Sequence, residues 1–229
     1  MLKKHEYVAN EFPNDGIIWK YFSLPAFLAM IEDGMLYFSR AKCLADPNEF
    51  PVYEEDANIY PIGKDDYVKM IEQFKDEAFV NCWRLSEYES FGMWNAYADR
   101  AMGIAIKSDV KSLLTAFNGI PENNGYSVLA GKVSYDIRKM TQIPGWRLNV
   151  LYIAFSKTKP YENENELRLF YHDYRKEITS DYKGFSIDIA KLIKEIYIGP
   201  MAKPYVNALI EKILSHHGLN IPVEQSMVK

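Results

Sequence analysis

Residues 17–39 constrain the chain most, because they place one helix signal between two strand signals with no room for a linker. Ile17-Ile18-Trp19-Lys20-Tyr21-Phe22 is dense in β-branched and aromatic residues and predicts a strand. Ser23 then stands where an N-cap belongs, Pro25 falls in the first turn, and Leu24, Phe27, Leu28 and Ile31 recur at i, i+3, i+4 and i+7. Gly34 predicts a left-handed helix terminator, and Met35-Leu36-Tyr37-Phe38-Ser39 predicts the next strand. An opening of this kind commits the chain to a fold that mixes both elements.

The alternation continues to the end. Asp66 is placed to cap a helix striped by Tyr67, Met70, Ile71 and Phe74, and a strand follows over 79–85. Residues 90–97 read as one or two helical turns, and Gly103-Ile104-Ala105-Ile106 as a buried strand. Val110, Leu113, Leu114 and Phe117 form another helical stripe, closed by Asn118-Gly119, with a loop over 121–127. Strands are expected at 131–135 and 167–171, whereas 150–155 is apolar throughout and fits a helix or a buried strand equally. Ile189, Leu192, Ile193 and Ile196 mark a short helix, and Val206, Leu209, Ile210, Ile213 and Leu214 a last one, stopped by Gly218. Asp46-Pro47-Asn48-Glu49 is loop chemistry, and 51–63 reads as irregular. With no repeat, low-complexity tract or Gly/Ser linker, the expectation is a single α+β domain over 1–229. It would be a mixed sheet flanked by short amphipathic helices, with a core at about 17–214 and polar tails at 1–16 and 219–229.

Composition narrows the classes of function. At 229 residues and 48% hydrophobic content the chain can bury one sizeable core, and a net charge of −4 disfavours broad nucleic-acid binding or attachment to anionic membranes. The two cysteines, Cys43 and Cys82, give no disulfide framework and suit a reducing compartment. Met1–Glu6 lacks the apolar run of a signal peptide, and nothing approaches the roughly 20 apolar residues of a membrane span. A cytoplasmic address is therefore expected. No Walker A loop, Gly-x-Gly-x-x-Gly, Cys-x-x-Cys or His-Glu-x-x-His occurs. Of His5, His172, His216 and His217, the adjacent pair would point about 100° apart on a helix, so no metal site is expected from it.

Three constellations carry chemistry. In the acidic run Glu162, Glu164, Glu166 with Arg168, an extended backbone puts Glu164, Glu166 and Arg168 on one face and Leu167 and Leu169 on the other. Two carboxylates beside a cation can be driven to different pKa values; alternatively the run is a solvated strand edge with a ladder of ion pairs. Asp46 and Glu49 can supply carboxylates to the same pocket, or Asp46 merely caps its own turn, and Arg40 at a strand end suits a phosphate or is simply exposed. Trp94 and Tyr97, with Asp99 nearby, share a helical face able to stack a purine or nicotinamide ring, or else pack in the core; Trp19–Ser23 offers a further aromatic wall. A Mg²⁺ site from Asp46, Glu49 and Glu166 would suit a nuclease.

Four ordered segments add a resemblance. Leu36-Tyr37-Phe38-Ser39 followed by Asp46-Pro47-Asn48-Glu49 is similar to "wFS … NDPxE", although Ala45 stands where Asn is usual. Met93-Trp94-Asn95-Ala96-Tyr97-Ala98-Asp99 and then Gly103-Ile104-Ala105-Ile106 is similar to "MWxxYAdxxxGvai". Glu164-Asn165-Glu166-Leu167-Arg168-Leu169 is similar to "ExEwRl", and Glu195-Ile196-Tyr197-Ile198-Gly199-Pro200 to "eIilGp". Together they resemble the prokaryotic family named domain of unknown function 2971, with an analogy of fold to ADP-ribosyltransferases. By that analogy Glu166 is the catalytic carboxylate, Glu164 its helper and NAD the candidate co-substrate, with Trp94, Tyr97, Arg168, Asp46, Glu49 and Arg40 around the ligand. The resulting expectation is an ADP-ribosyltransferase-like or NAD-cleaving enzyme; the alternative is a nucleotide-sensing or protein-interaction module. An exposed or cleft-lining Glu166 would tolerate Gln with little change in melting temperature.

Overall fold

The computed structural model describes residues 1–4, 16–44, 46, 49–50, 63–136 and 150–228. Within them ten strands form one mixed sheet: β1 (Leu2–Lys4), β2 (Ile17–Phe22), β3 (Met35–Arg40), β4 (Ala78–Leu85), β5 (Ile104–Asp109), β6 (Val128–Lys132), β7 (Glu166–His172), β8 (Tyr182–Ser186), β9 (Glu195–Ile198) and β10 (Val223–Gln225). Its helices are α1 (Leu24–Asp33), α2 (Lys64–Glu77), α3 (Phe91–Tyr97), α4 (Val110–Asn118), α5 (Val150–Ala154), α6 (Ile189–Leu192) and α7 (Pro204–His216). The α+β expectation is met, and no helix among the described residues is long and apolar enough to cross a membrane.

Local chemistry explains the opening unit. Ser23 Oγ accepts from the Ala26 N–H (3.4 Å), and Gly34, at φ 61°, sends its own N–H back to the Met30 carbonyl. Elsewhere the boundaries move. α2 starts behind Gly63, so Asp66 lies inside the first turn and pairs with Lys69 (3.2 Å) rather than capping. Pro121–Gly125 is a 3-10 helix, β6 begins at Val128, and the undecided apolar run is helical. β1 and β10 arise from the segments read as polar tails and end the strand order, pairing parallel with β6 and β9 respectively. The irregular stretch at 51–62, most of the first tail (5–15, with His5) and Ala45, Pro47 and Asn48 lie outside the described residues.

The sheet order explains where a site can form. β4 pairs along its length with β7, antiparallel, from Ala78↔His172 to Arg84↔Glu166. Its other edge is shared. β3 takes Phe79 and Val80, β2 takes Arg84 and Leu85, and neither ladder reaches the residues between. From this fork one arm continues through β2, β5, β9 and β10, and the other through β3 and β8. Side chains stand in for the missing rungs: Lys20 Nζ donates to the Cys82 carbonyl (3.0 Å) and Asn81 Nδ2 to the Tyr37 carbonyl (2.6 Å).

The two faces are packed differently. Phe27, Met30 and Ile31 of α1, Leu113 and Phe117 of α4, Leu192 of α6 and Ile210 of α7 cover one face together with Leu167 and Leu169, forming the main core. On the opposite face Tyr67, Ile71 and Phe74 of α2 pack on Val80 and Phe170, while Trp94 of α3 packs separately with Trp19, Tyr21 and Ala105. Polar residues occupy the space between those two smaller clusters.

Candidate active site

Glu166 opens β7, an interior strand between β6 and β4, and is only 3% exposed. The reading as a solvated strand edge therefore falls. Arg168, on the same face, is wholly buried and sends Nε to Glu166 Oε1 (2.7 Å) and Nη2 to Glu166 Oε2 (3.0 Å). Its remaining donors reach Glu49 Oε2 (2.7 Å) and the Ala154 carbonyl (2.7 Å), and its guanidinium lies 5.6 Å from the Phe50 ring centre. Arg168 thus supports the carboxylates from below and does not reach the cleft.

Lys157 is the second cation, and sequence reasoning missed it. Its buried Nζ touches Glu49 Oε1 (2.7 Å), Glu164 Oε2 (2.6 Å) and Glu166 Oε2 (3.3 Å). Burial opposes its charge, yet Glu166 and Glu49 outweigh that and hold its pKa well above the ordinary lysine value. Burial likewise pushes Glu166 towards neutrality, but Arg168 and then Lys157 bring its pKa down to about 2. Glu166 is consequently an anion at neutral pH, in a cluster where three carboxylates (Glu49, Glu164 and Glu166) meet two cations.

Glu164 and Glu166 meet by a different route from strand periodicity. Glu164 ends a 3-10 helix (Lys159–Glu164), and Asn165 takes the left-handed conformation (φ 42°, ψ 56°) before the strand begins. Asn165 is tied to Leu85 in both directions, through its N–H side chain (2.6 Å) and by accepting the Leu85 N–H (2.9 Å). The turn thereby brings Glu164 to the lysine shared with Glu166. Tyr97 donates to Glu164 Oε1 (2.5 Å), and burial with this bond raises the phenol's pKa, so it remains protonated.

Above the cluster lies a cleft of about 230 Å³. Trp19 and Tyr21 from β2, Tyr37 from β3, Trp83 from β4 and Met93 and Tyr97 from α3 give it flat walls, and Glu166, Glu164, Glu49 and Lys157 its polar end. It opens at the fork of the sheet, so β2, β3 and β4 all supply its walls beside Glu166 of β7. Asp46 is at the rim, bonded by the Tyr161 hydroxyl (3.1 Å), and its carbonyl accepts the Glu49 N–H (3.2 Å).

Besides Arg168, two expected ligand residues are elsewhere. Trp94 is wholly buried, with Nε1 donating to Glu89 Oε2 (3.0 Å) and its ring edge-on to Tyr21 at 5.2 Å. It backs the wall that Tyr21 presents and offers no face to a ligand. Tyr97, three residues on, is 46% exposed and does line the cleft. Arg40 points away: its guanidinium caps the carbonyls of Ile178 and Ser180 (2.7 Å each) and of Asp76, and lies 4.7 Å from the Phe79 ring centre. Among the described residues no group of three or more His, Cys, Asp and Glu could hold a metal ion, and Glu49 and Glu166 are already engaged with cations, so the magnesium arrangement does not assemble. Lys157 gave no periodic signal, standing just after an apolar run; Trp19 and Tyr21 were legible as an aromatic wall.

The remaining motif residues are architectural. Asp99 Oδ1 accepts from the Ala101 and Met102 N–H groups (2.6 and 2.8 Å), and the turn so formed lies against Gly103 and Gly199, where a Cβ would collide with the backbone of Asp99 or Arg100. The second and fourth motifs thus meet at one junction.

No family model matches the chain, which leaves the resemblance to domain of unknown function 2971 unconfirmed, and no curated protein matches either. Three solved structures of Thermus sp. 2.9 DarT are similar in part. The complex with NAD+ has 10% identity and a TM-score of 0.43, covering 94% of this chain and 97% of that one. The complex with carba-NAD+ has 10% identity and a TM-score of 0.41 (93% and 96%), and that with ADP-ribosylated ssDNA 12% and 0.42 (93% and 95%). Likeness at this level assigns neither fold nor function to the chain.

Proposed function

We propose that the chain cleaves the bond between nicotinamide and ribose in a nicotinamide dinucleotide and passes the ADP-ribosyl group to water or to an acceptor. The C1′–N bond breaks with its electron pair leaving on nicotinamide; the ribosyl carbon becomes cationic and is captured by a nucleophile that gives up its proton. The observation that carries this reading is Glu166, a carboxylate kept ionised at the polar end of an aromatic-walled cleft. A fixed anion beside a developing oxocarbenium charge stabilises the transition state more than the ground state. Glu164 is held between Tyr97 and Lys157, and in this reading it orients the acceptor. The cleft is smaller than the roughly 300–1,000 Å³ of a pocket enclosing a drug-sized ligand, which fits one end of a dinucleotide with the remainder extending outward.

Incubation with NAD should release nicotinamide, or label a protein or nucleic-acid acceptor with ADP-ribose. Glu166→Gln, checked by circular dichroism to be folded, should lower turnover by at least about 100-fold. Absence of product across a panel of acceptors, with no NAD-induced rise in melting temperature, would sink the reading. One observation favours a nucleotide-sensing module instead: both oxygens of Glu166 accept bonds from Arg168. Binding without product, unchanged in Glu166→Gln, would select that alternative.

A further inference from the structure

Arg84 is a half-buried cation at the cleft with no carboxylate partner among the described residues. It stands across the ladders from Glu166 on one side and Trp19 on the other, which puts its side chain on the cleft face of β4. Its Nη1 donates to the Asn163 carbonyl, one residue before Glu164, while neither Nε nor Nη2 has an acceptor among the described residues. Nε is sealed inside the protein, so the open donor of the fork is Nη2. Burial raises the pKa of the Tyr21 phenol and the charge of Arg84 works against that rise, so the guanidinium lies near the aromatic wall. The other cations of the cleft are committed. Lys157 touches three carboxylates, and Lys20 lies over the Phe22 and Trp83 rings (5.4 and 5.9 Å) with Nζ on the Cys82 carbonyl.

We propose that Arg84 binds the 5′-phosphate of the ribose whose bond is cleaved, and so makes the chain select nucleotides over nucleosides. The proposal rests on the nicotinamide-cleaving reading and specifies the substrate class. Residues directly opposed in an antiparallel pair have Cα atoms about 4.5–5.5 Å apart, so Glu166 and Arg84 are spaced to address two ends of one small group. A ribose has that form, with the reacting C1′ at one end and the phosphate-bearing C5′ at the other. Glu166 would meet the charge that develops at C1′, and Arg84 the fixed charge of the phosphate, through the charge-assisted bonds that a guanidinium makes with phosphate oxygens. Asp46, Glu49, Glu164 and Glu166 make the rest of the polar lining acidic, so a phosphate has need of this cation to enter. If Arg84 instead only tethered the turn before Glu164 through Asn163, its loss would affect ligands with and without phosphate alike.

The test titrates the full chain, by ligand-dependent melting, with NAD, with nicotinamide mononucleotide, and with nicotinamide riboside, which lacks only the phosphate of the mononucleotide. The wild-type chain should bind the mononucleotide at least about tenfold more tightly than the riboside, as a hydrogen bond to a charged group is worth that much. Arg84→Met should bring the mononucleotide down to the riboside's affinity, weaken NAD by about tenfold or more, and leave riboside binding unchanged, which also shows the variant to be folded. Arg84→Lys keeps the charge without the fork and should fall between the two. Equal wild-type affinity for mononucleotide and riboside, or a preference that survives in Arg84→Met, overturns the assignment, as does an equal loss for both ligands. In each of those cases nicotinamide release from NAD by the wild-type chain leaves the cleavage reading standing. Failure of all three ligands to bind would remove both.

Discussion

Replacing Glu166 by Gln should destabilise the chain as well as silence its chemistry. The side chain accepts two bonds from Arg168 and touches Lys157, at 3% exposure. Its pKa is about 2 in the fold against an ordinary 4.5, and at about 1.36 kcal/mol per unit the ionised form contributes about 3 kcal/mol. Breaking a buried ion pair costs about 3–5 kcal/mol. Gln retains one acceptor for Arg168, which also keeps Glu49 and the Ala154 carbonyl, so the lower end applies. Because the folded pKa is depressed, the contribution is complete above pH 4.5 and disappears as the pH falls towards 2. Urea unfolding followed by far-ultraviolet circular dichroism at neutral pH should therefore show a loss of about 3 kcal/mol, narrowing steadily below pH 4.5. A loss under about 1 kcal/mol at neutral pH, or one of the same size at every pH, would refute the reasoning. The small effect expected from sequence took a cleft carboxylate to contribute little to stability; Glu166 does line the cleft, but its burial against Arg168 and Lys157 reverses that expectation.

Two further substitutions separate fold from site. Gly34→Val should cost about 1–2 kcal/mol in a urea titration, wholly from backbone strain at φ 61°, since a Cβ there meets nothing within 4 Å; an unchanged midpoint would contradict the left-handed terminator. Arg40→Ala should cost about 1–3 kcal/mol by uncapping the Asp76, Ile178 and Ser180 carbonyls, yet leave the NAD-induced melting shift intact, and loss of that shift alone would return Arg40 to the ligand.

The sequence made local architecture legible wherever short-range chemistry decided it. Ser23, Gly34 and the alternation of Ile17–Phe22 specify their own cap, terminator and strand without help from distant residues. β1 and β10 escaped notice because three residues are too few to show a period, and only their partners β6 and β9 make them strands. The site divides in the same way. Glu164, Glu166, Tyr97, Asp46 and Glu49 were found by residue type and do converge, but the face shared by Glu164 and Glu166 depends on the turn at Asn165. Trp94 and Tyr97 have the same spacing signal and opposite fates, since what covers a short helix is decided by the strands beneath it. Lys157 was invisible because its worth comes from three carboxylates, Glu164 and Glu166 nearby and Glu49 more than 100 residues away in the chain.

The fork in the sheet has a mechanical side. Each arm grips β4 through only two residue pairs, Ile18↔Leu85 and Trp19↔Arg84 on one side, Ser39↔Val80 and Arg40↔Phe79 on the other. The span between them is bridged by just a lysine and an asparagine reaching across. A molecule wedged there would press on both arms at once, like a strut set into a notch. Occupancy would then stiffen strands far from the reacting atoms, out along β5 and β9 on one side and β8 on the other, and an empty notch would leave them freer to splay.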